Sequence, residues 1–457
     1  MAKLSDLPEE LISQICDETE LDSLIPLAES CSLLNRIAGY HYCLRTSTYE
    51  IESLGVSNRH SPIDHISFST LYKLTSICGS MAKVTHIRCA FSQSVETLLQ
   101  EMRLITLALQ LTRCHLYSIR LTFDGPEKGP QACPLSSFSG AFEDLIRQVQ
   151  RTQCPHFEIE GTIPLMDGPL NFDLPTNHFL ISFTVGRSFV LSHPQWVLSF
   201  LNSSPNISLL SAFCSHKWTQ ILPHLHLPSL NDITFFGDES FINNRLGFHA
   251  TTKTMNIEVL AQFADRHCHT LETIYCGTQF RVFPASPNCS FQLPHLTCLK
   301  GTISQLCYFV SSPRALCNLQ SIKISTSSSR NEDERLWDLL ALICTRSKVQ
   351  KLFLPVNIGA LRGNLLSRNM SSLRSRCPHI LSLELSEFRH VTEAENGDFL
   401  RWASQVFPST KQLEVSYMKW DSKKSSAFAR AMTVEWPSVE TLAIDWDEKH
   451  VQAWCRI

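Results

Sequence analysis

Glycine is scarce in this chain, 16 in 457 residues. Backbone cradles for phosphate need clustered glycine. Neither G-x-x-x-x-G-K-[ST] nor G-x-G-x-x-G occurs, so nucleotide binding by either route is not expected. The hydrolase signatures G-x-S-x-G and H-E-x-x-H are missing too, and with them the common sequence marks of a nucleophile or a zinc-activated water. No C-x-x-C pair is found among 18 cysteines, which removes the commonest zinc spacing. There is no uncharged apolar run of about 18 residues to span a bilayer. No basic, apolar leader opens the chain, so secretion is not expected and a cytoplasmic or nuclear protein is. In that setting the cysteines are expected to be reduced and mostly buried. Net charge is only −3, so no global field favours nucleic acid.

What is present is apolar: 43% of residues are hydrophobic and 18% charged, enough to bury a large core. The acidity is concentrated at the start. Met1 to Ala38 holds eight Asp and Glu against Lys3 and Arg36, a net −6, leaving the remainder about +3. In the same stretch Pro8 suits the first turn of a helix. Glu9 and Glu10 sit where the helix dipole favours acids. Leu11, Ile12 and Ile15 then recur at helical spacing. A second helix is expected on Leu24, Ile25, Leu27 and Ala28, and a third on Leu33, Leu34 and Ile37. Helices this short bury little by themselves. Their apolar faces are therefore expected to pack on the following domain or on a partner.

The residues LPEELISQICDETELDSLIPLAESCSLLNRIA resemble the F-box, the segment that docks substrate receptors onto the Skp adaptor of SCF-type ubiquitin ligases. The positions that carry the resemblance are Leu7, Pro8, Glu10, Leu11, Ile12, Ile15, Leu27 and Ala28, in the family's spacing without a gap. The ending SCSLLNRIA is similar to fungal members. Ser30 stands where the family often has Val, and Leu34 where it often has Trp. The resemblance implies an adaptor-binding site at Leu7, Pro8, Glu10, Leu11, Ile12, Ile15, Leu27, Ala28 and Leu34, with a cullin reached through the adaptor.

The long remainder repeats a phrase of the form Pro-x-Leu-x-x-Leu-x-Ile: LPSLNDITFF at Leu227, LPHLTCLKGT at Leu293, LCNLQSIKIS at Leu316, CPHILSLELS at Cys377, FPSTKQLEVS at Phe407, WPSVETLAID at Trp436. Its second buried position tracks through Ile87, Ile119, Ile159, Phe183, Leu210, Ile233, Ile274, Leu299, Ile322, Leu352, Leu383, Leu413 and Leu442. Helix-like runs such as PQWVLSFLNSS, IEVLAQFADRH and DERLWDLLALICTRS precede many copies, and the phrase itself alternates as a strand does. Helix, bend, short strand, repeated, predicts an irregular α/β solenoid like those built of leucine-rich repeats, with parallel strands on the concave face. The consistent asparagine of such repeats is missing. The expected division is an F-box at 1–40, a junction at 41–65 rich in turn formers, and the solenoid at 66–457.

Strand alternation assigns the residues either side of each buried position to the open face. Tyr275, Lys300, Lys323, Lys351, Phe353, Glu384 and Glu414 are the candidate target-binding residues, with Asp232, Thr234, Thr273, Cys298, Ser321, Ser382, Gln412, Thr441 and Ala443 beside them. Their charges are sorted, lysines first and glutamates after, which suits a protein or peptide of complementary charge. His224 and His226, and His267 with His269, have no metal-site spacing and are read as loop and helix-end residues. Cys154, Cys317 and Cys377 are read as small fillers ahead of strands. Together these readings predict a receptor that holds a target near a ubiquitin-conjugating enzyme. It would have no catalytic residues, cofactor, metal, nucleic acid or membrane. A scaffold that joins no ligase, or a small-molecule sensor with a pocket in the solenoid, are the alternatives.

Overall fold

A computed structural model describes residues 4, 7–31, 33–34, 37–39, 41–42, 86–91, 95–111, 116–123, 135–161, 170, 173–236, 255–277, 279–282, 291–312, 315–325, 332–355, 376–386, 393–418, 422–446 and 451–456. Most of the expected junction, and the first part of the expected solenoid, lie outside them. The chain divides into two compact units, Met1–Ala212 with His224–Ser229, and Phe213–Pro223 with Leu230–Ile457.

The first unit opens with two helices, α1 (Glu9–Glu18) and α2 (Leu21–Ser30). Pro8 stands at the N-cap of α1 and its carbonyl accepts from the N–H groups of Leu11 and Ile12. Further helical turns include 33–34, 37–39 and 41–42. Five strands follow: β1 (His86–Phe91), β2 (Ser118–Phe123), β3 (His156–Gly161), β4 (Ser182–Val185) and β5 (Leu209–Phe213). They lie in chain order, and β1 to β5 pair parallel, each with the next. Parallel neighbours need a crossover, and helices Val95–Leu111, Leu135–Arg151 and Pro194–Asn202 lie within the crossovers. Phe200 of the last packs, tilted, against the inward rings of Phe157 and Phe183, with centroids 5.5 and 4.8 Å away, which fixes the face the helix covers.

The second unit continues the pattern with β6 (Asp232–Phe236), β7 (Met255–Asn256), β8 (Thr273–Tyr275), β9 (Phe280–Arg281), β10 (Cys298–Gly301), β11 (Ser321–Ile324), β12 (Lys351–Pro355), β13 (Ser382–Ser386), β14 (Gln412–Met418), β15 (Thr441–Trp446) and β16 (Val451–Arg456). The sheet runs β6-β8-β10-β11-β12-β13-β14-β15-β16, with β7 and β9 as a separate parallel pair. β6 to β15 are parallel within the sheet; β16 returns antiparallel on β15. Only 447–450 separate those two strands, too few residues for a crossover. The helices expected from periodicity are present, among them Ile257–Arg266, Ile303–Val310, Glu332–Cys344, Glu393–Val406 and Ser422–Glu435. The fold is thus α/β with parallel strands and crossover helices, the coarse architecture expected of the repeats.

The register explains how irregular repeats stack. Ile233, Ile274, Leu299, Ile322, Leu352, Leu383, Leu413 and Leu442 form one continuous file across eight strands, each at most 1% exposed. In the first unit the file runs Ile87, Ile119, Phe157, Phe183, Leu210. Phe157 therefore replaces Ile159 in it. Both are inward and two residues apart, and Ile159 pairs with Leu121 instead.

A second file is made of backbone alone. The carbonyl just before one strand accepts from two successive N–H groups of the next repeat. Asn231, Glu272, Thr297, Gln320, Gln350, Leu381 and Lys411 each serve in this way, at 2.8–3.1 Å. Any side chain can occupy such a position, so no asparagine is required. One contact departs from the expectation of reduced cysteines. Cys344, at the end of its helix, and Cys377, ahead of β13, form a disulfide with their Cα atoms 4.8 Å apart.

Candidate protein-docking surfaces

The short helices at the start largely satisfy one another. Ile12, Cys16, Leu24, Ala28, Leu34, Ile37, Ala38 and Tyr42 form a small core, with Leu4, Leu7, Ile25, Leu27, Cys31 and Leu33 partly buried against it. Among the described residues this cluster draws only on positions 4–42. A buried histidine tethers α1 to the end of the stretch: His41 Nδ1 lies 2.8 Å from Asp17 and its Nε2 2.6 Å from the Ser13 hydroxyl.

The apolar stripe of α1 is wider than this core can cover. Ile12 and Cys16 point inward, whereas Leu11 and Ile15, displaced around the helix, remain 45% and 38% exposed. They line a groove of about 480 Å³ with Leu7, Gln14, Glu18 and Thr19. The Thr19 hydroxyl closes the helix end by donating to the Ile15 carbonyl at 2.6 Å. The residues implied by the resemblance therefore divide. Pro8, Glu10, Leu11 and Ile15 are exposed, Leu7 and Leu27 half-buried, and Ile12, Ala28 and Leu34 internal. Gln14, Glu18 and Thr19 were not anticipated. Their spacing of three, seven and eight from Leu11 is the signal that could have found them.

In the second unit the open side of the sheet carries two outward files. One runs Asp232, Thr273, Cys298, Ser321, Lys351, Ser382, Gln412, Thr441; the other Thr234, Tyr275, Lys300, Lys323, Phe353, Glu384, Glu414, Ala443. Six of the seven candidate target-binding residues thus occupy consecutive positions in one file, and Lys351 belongs to its neighbour. Ala443 was expected on the open side, yet is 1% exposed, where β15 is covered on its far edge by β16.

The Lys300 ammonium sits 4.0 Å from the centroid of the Tyr275 ring, a cation–π contact. Burial raises the pKa of the Glu384 carboxyl, and neighbouring Glu414 raises it further, against the pull of Lys323 and Lys300. Chemically the surface offers charge of both signs and the aromatic rings of Tyr275 and Phe353. Among the described residues no three His, Cys, Asp or Glu come together as a metal site would need, and no helix is long and apolar enough to cross a membrane.

No family model matches the chain, and no curated protein matches it by sequence. Among solved structures it is similar to a chain in the crystal structure of the Rad7 and Elc1 complex in yeast. The identity is 12% and the TM-score 0.36, over 89% of this chain and 87% of that one. A likeness at that level carries no argument about function.

Proposed function

We propose that the chain is a non-catalytic substrate receptor of an SCF-type ubiquitin ligase, acting in the cytoplasm or nucleus. Its first 40 residues would dock a Skp-like adaptor, and through it a cullin. The open strand face of the second unit would hold a target. The supporting observation is the divided stripe of α1: Leu11 and Ile15 stay exposed on a helix whose other side is already packed. A helix with a spare apolar face beside a groove suits a protein partner. The docking residues on this reading are Leu7, Pro8, Glu10, Leu11 and Ile15. Ile12, Ala28 and Leu34 would act through the core that presents them.

The receptor needs no chemistry of its own. Holding a target beside a conjugating enzyme raises the effective concentration of its lysines. The test is affinity purification of the intact chain beside a Leu11→Asp, Ile15→Asp variant. Loss of adaptor and cullin from the variant, with other partners kept, supports the reading; an intact chain that recovers neither overturns it.

A further inference from the structure

The outward file of the second unit breaks a rule of sheet design. Like charges on directly paired positions destabilise a sheet, and opposite charges stabilise it. Here Lys300 pairs with Lys323 and Glu384 with Glu414, while Phe353 stands between the two sets. Among the described residues none of these four makes an ion pair. In the first unit like charges are paired too, Arg88 with Arg120, but the cation of Arg120 is met by carboxylates. There Arg120 donates to Glu160 at 2.7 Å and lies 3.5 Å from Glu158, so opposite charges meet. Charges sorted into like pairs, with no direct ion pair between the two sets, are costly unless something else satisfies them, and such conflicts concentrate at functional positions.

We propose that this file binds an extended segment of the target laid across the strands, with carboxylates over Lys300 and Lys323, an apolar residue on Phe353, and cationic side chains over Glu384 and Glu414. The proposal rests on the reading that this face holds the target, and names the class of target. Neighbouring strands lie about 4.8 Å apart. The centre of the lysine pair and the centre of the glutamate pair are three strand intervals apart, about 14 Å. An extended chain advances about 3.3 Å per residue, so the acidic and basic centres of the segment should be about four residues apart.

The probe is a fluorescent peptide with the core Glu-Glu-Leu-Leu-Arg-Arg, compared with an isomer of core Glu-Arg-Leu-Leu-Glu-Arg. Binding to the full chain is followed by anisotropy at low salt. The sorted peptide should bind at least tenfold more tightly than the isomer. K300E/K323E should lose at least tenfold. The fourfold exchange K300E/K323E/E384K/E414K should recover binding to within about threefold, because the segment can then lie in the opposite direction. Equal binding of the two peptides overturns the proposal, as does a fourfold variant that melts like the wild type without recovering. If a charge-exchanged variant does not fold, the neutral pairs K300Q/K323Q and E384Q/E414Q replace it; should neither weaken the sorted peptide fivefold, the proposal is overturned. A wild-type dimer dissociated by K300E/K323E in sedimentation would assign the file to a second copy and likewise overturn it. L11D/I15D should bind the peptide as the wild type does, so a failed adaptor reading and a failed target reading remain distinguishable.

Discussion

Removing the spare apolar face of α1 should cost adaptor binding and leave stability alone. Fully burying a Leu or Ile side chain is worth about 1.5–3 kcal/mol. Leu11 is 45% and Ile15 38% exposed. Covering what remains open would therefore contribute about 0.7–1.4 and 0.6–1.1 kcal/mol, together about 1.3–2.5 kcal/mol. At about 1.4 kcal/mol per tenfold, Leu11→Ala with Ile15→Ala should raise Kd for a purified Skp-type adaptor roughly tenfold to sixtyfold. Leu11→Asp with Ile15→Asp should abolish measurable binding, since each carboxylate would be buried without a partner. Calorimetric titration reads the affinity and a thermal melt reads the fold. Ile12→Ala is the contrast: Ile12 has no exposed surface, and opening a cavity there should cost about 2–4 kcal/mol of stability. The reasoning is refuted if the alanine pair binds as tightly as the wild type. It is equally refuted if the pair lowers the melting temperature as Ile12→Ala does, because Leu11 and Ile15 would then be core.

Four further outcomes are expected. Burial pushes the Glu158 carboxyl up to about 7, with Arg120 opposing and Glu160 adding; a raised carboxyl favours the fold while protonated, so stability falls as pH rises from about 4.5 through 7, and Glu158→Gln should raise the melting temperature at pH 8 but not at pH 4. His193 is 3% exposed, stacks edge-on against Phe189, and its ring nitrogens have no hydrogen-bond partner among the described residues. Burial lowers its pKa to about 4, so stability present above about 6.5 should be lost as pH falls toward 4, and His193→Phe should flatten that slope in acid melts. The Cys344–Cys377 bond joins residues 33 apart, for which loop closure predicts about 3–4 kcal/mol; Cys344→Ser should melt lower than the wild type, and reductant should remove the difference. Gly161 has φ +87° and an added Cβ would lie 1.7 Å from the Phe123 carbonyl oxygen, so Gly161→Ala should destabilise by at least about 1–3 kcal/mol in a denaturant titration.

Repeat and register were legible where one phrase recurs with a single unambiguous apolar centre. From Ile233 to Leu442 the expected buried positions are the ones that pair. The slip at Ile159 arose because HFEIEG has apolar residues two apart, and both lie on the same face. The backbone carbonyl file could not be seen, since Asn231, Leu381 and Lys411 share no side-chain chemistry. Nor could the Cys344–Cys377 contact, which joins segments 33 residues apart, or β16, which follows β15 after four residues and does not carry the repeated phrase. For the first forty residues the amphipathic stripe was readable but its division was not. Ile12 faces inward because it packs with Leu24 and Ala28 of α2 and with Leu34, Ile37, Ala38 and Tyr42, a property of packing and not of periodicity.

Because outward and inward positions alternate along every strand, a mutation at Lys323 or Glu384 leaves the hydrophobic file at Ile322 and Leu383 untouched. On the proposed reading, what this face recognises could drift one repeat at a time while the inward file stays as it is. A library randomised at Lys300, Lys323, Phe353, Glu384 and Glu414 should therefore contain mostly soluble members, a starting point for selecting binders to segments of any chosen charge order.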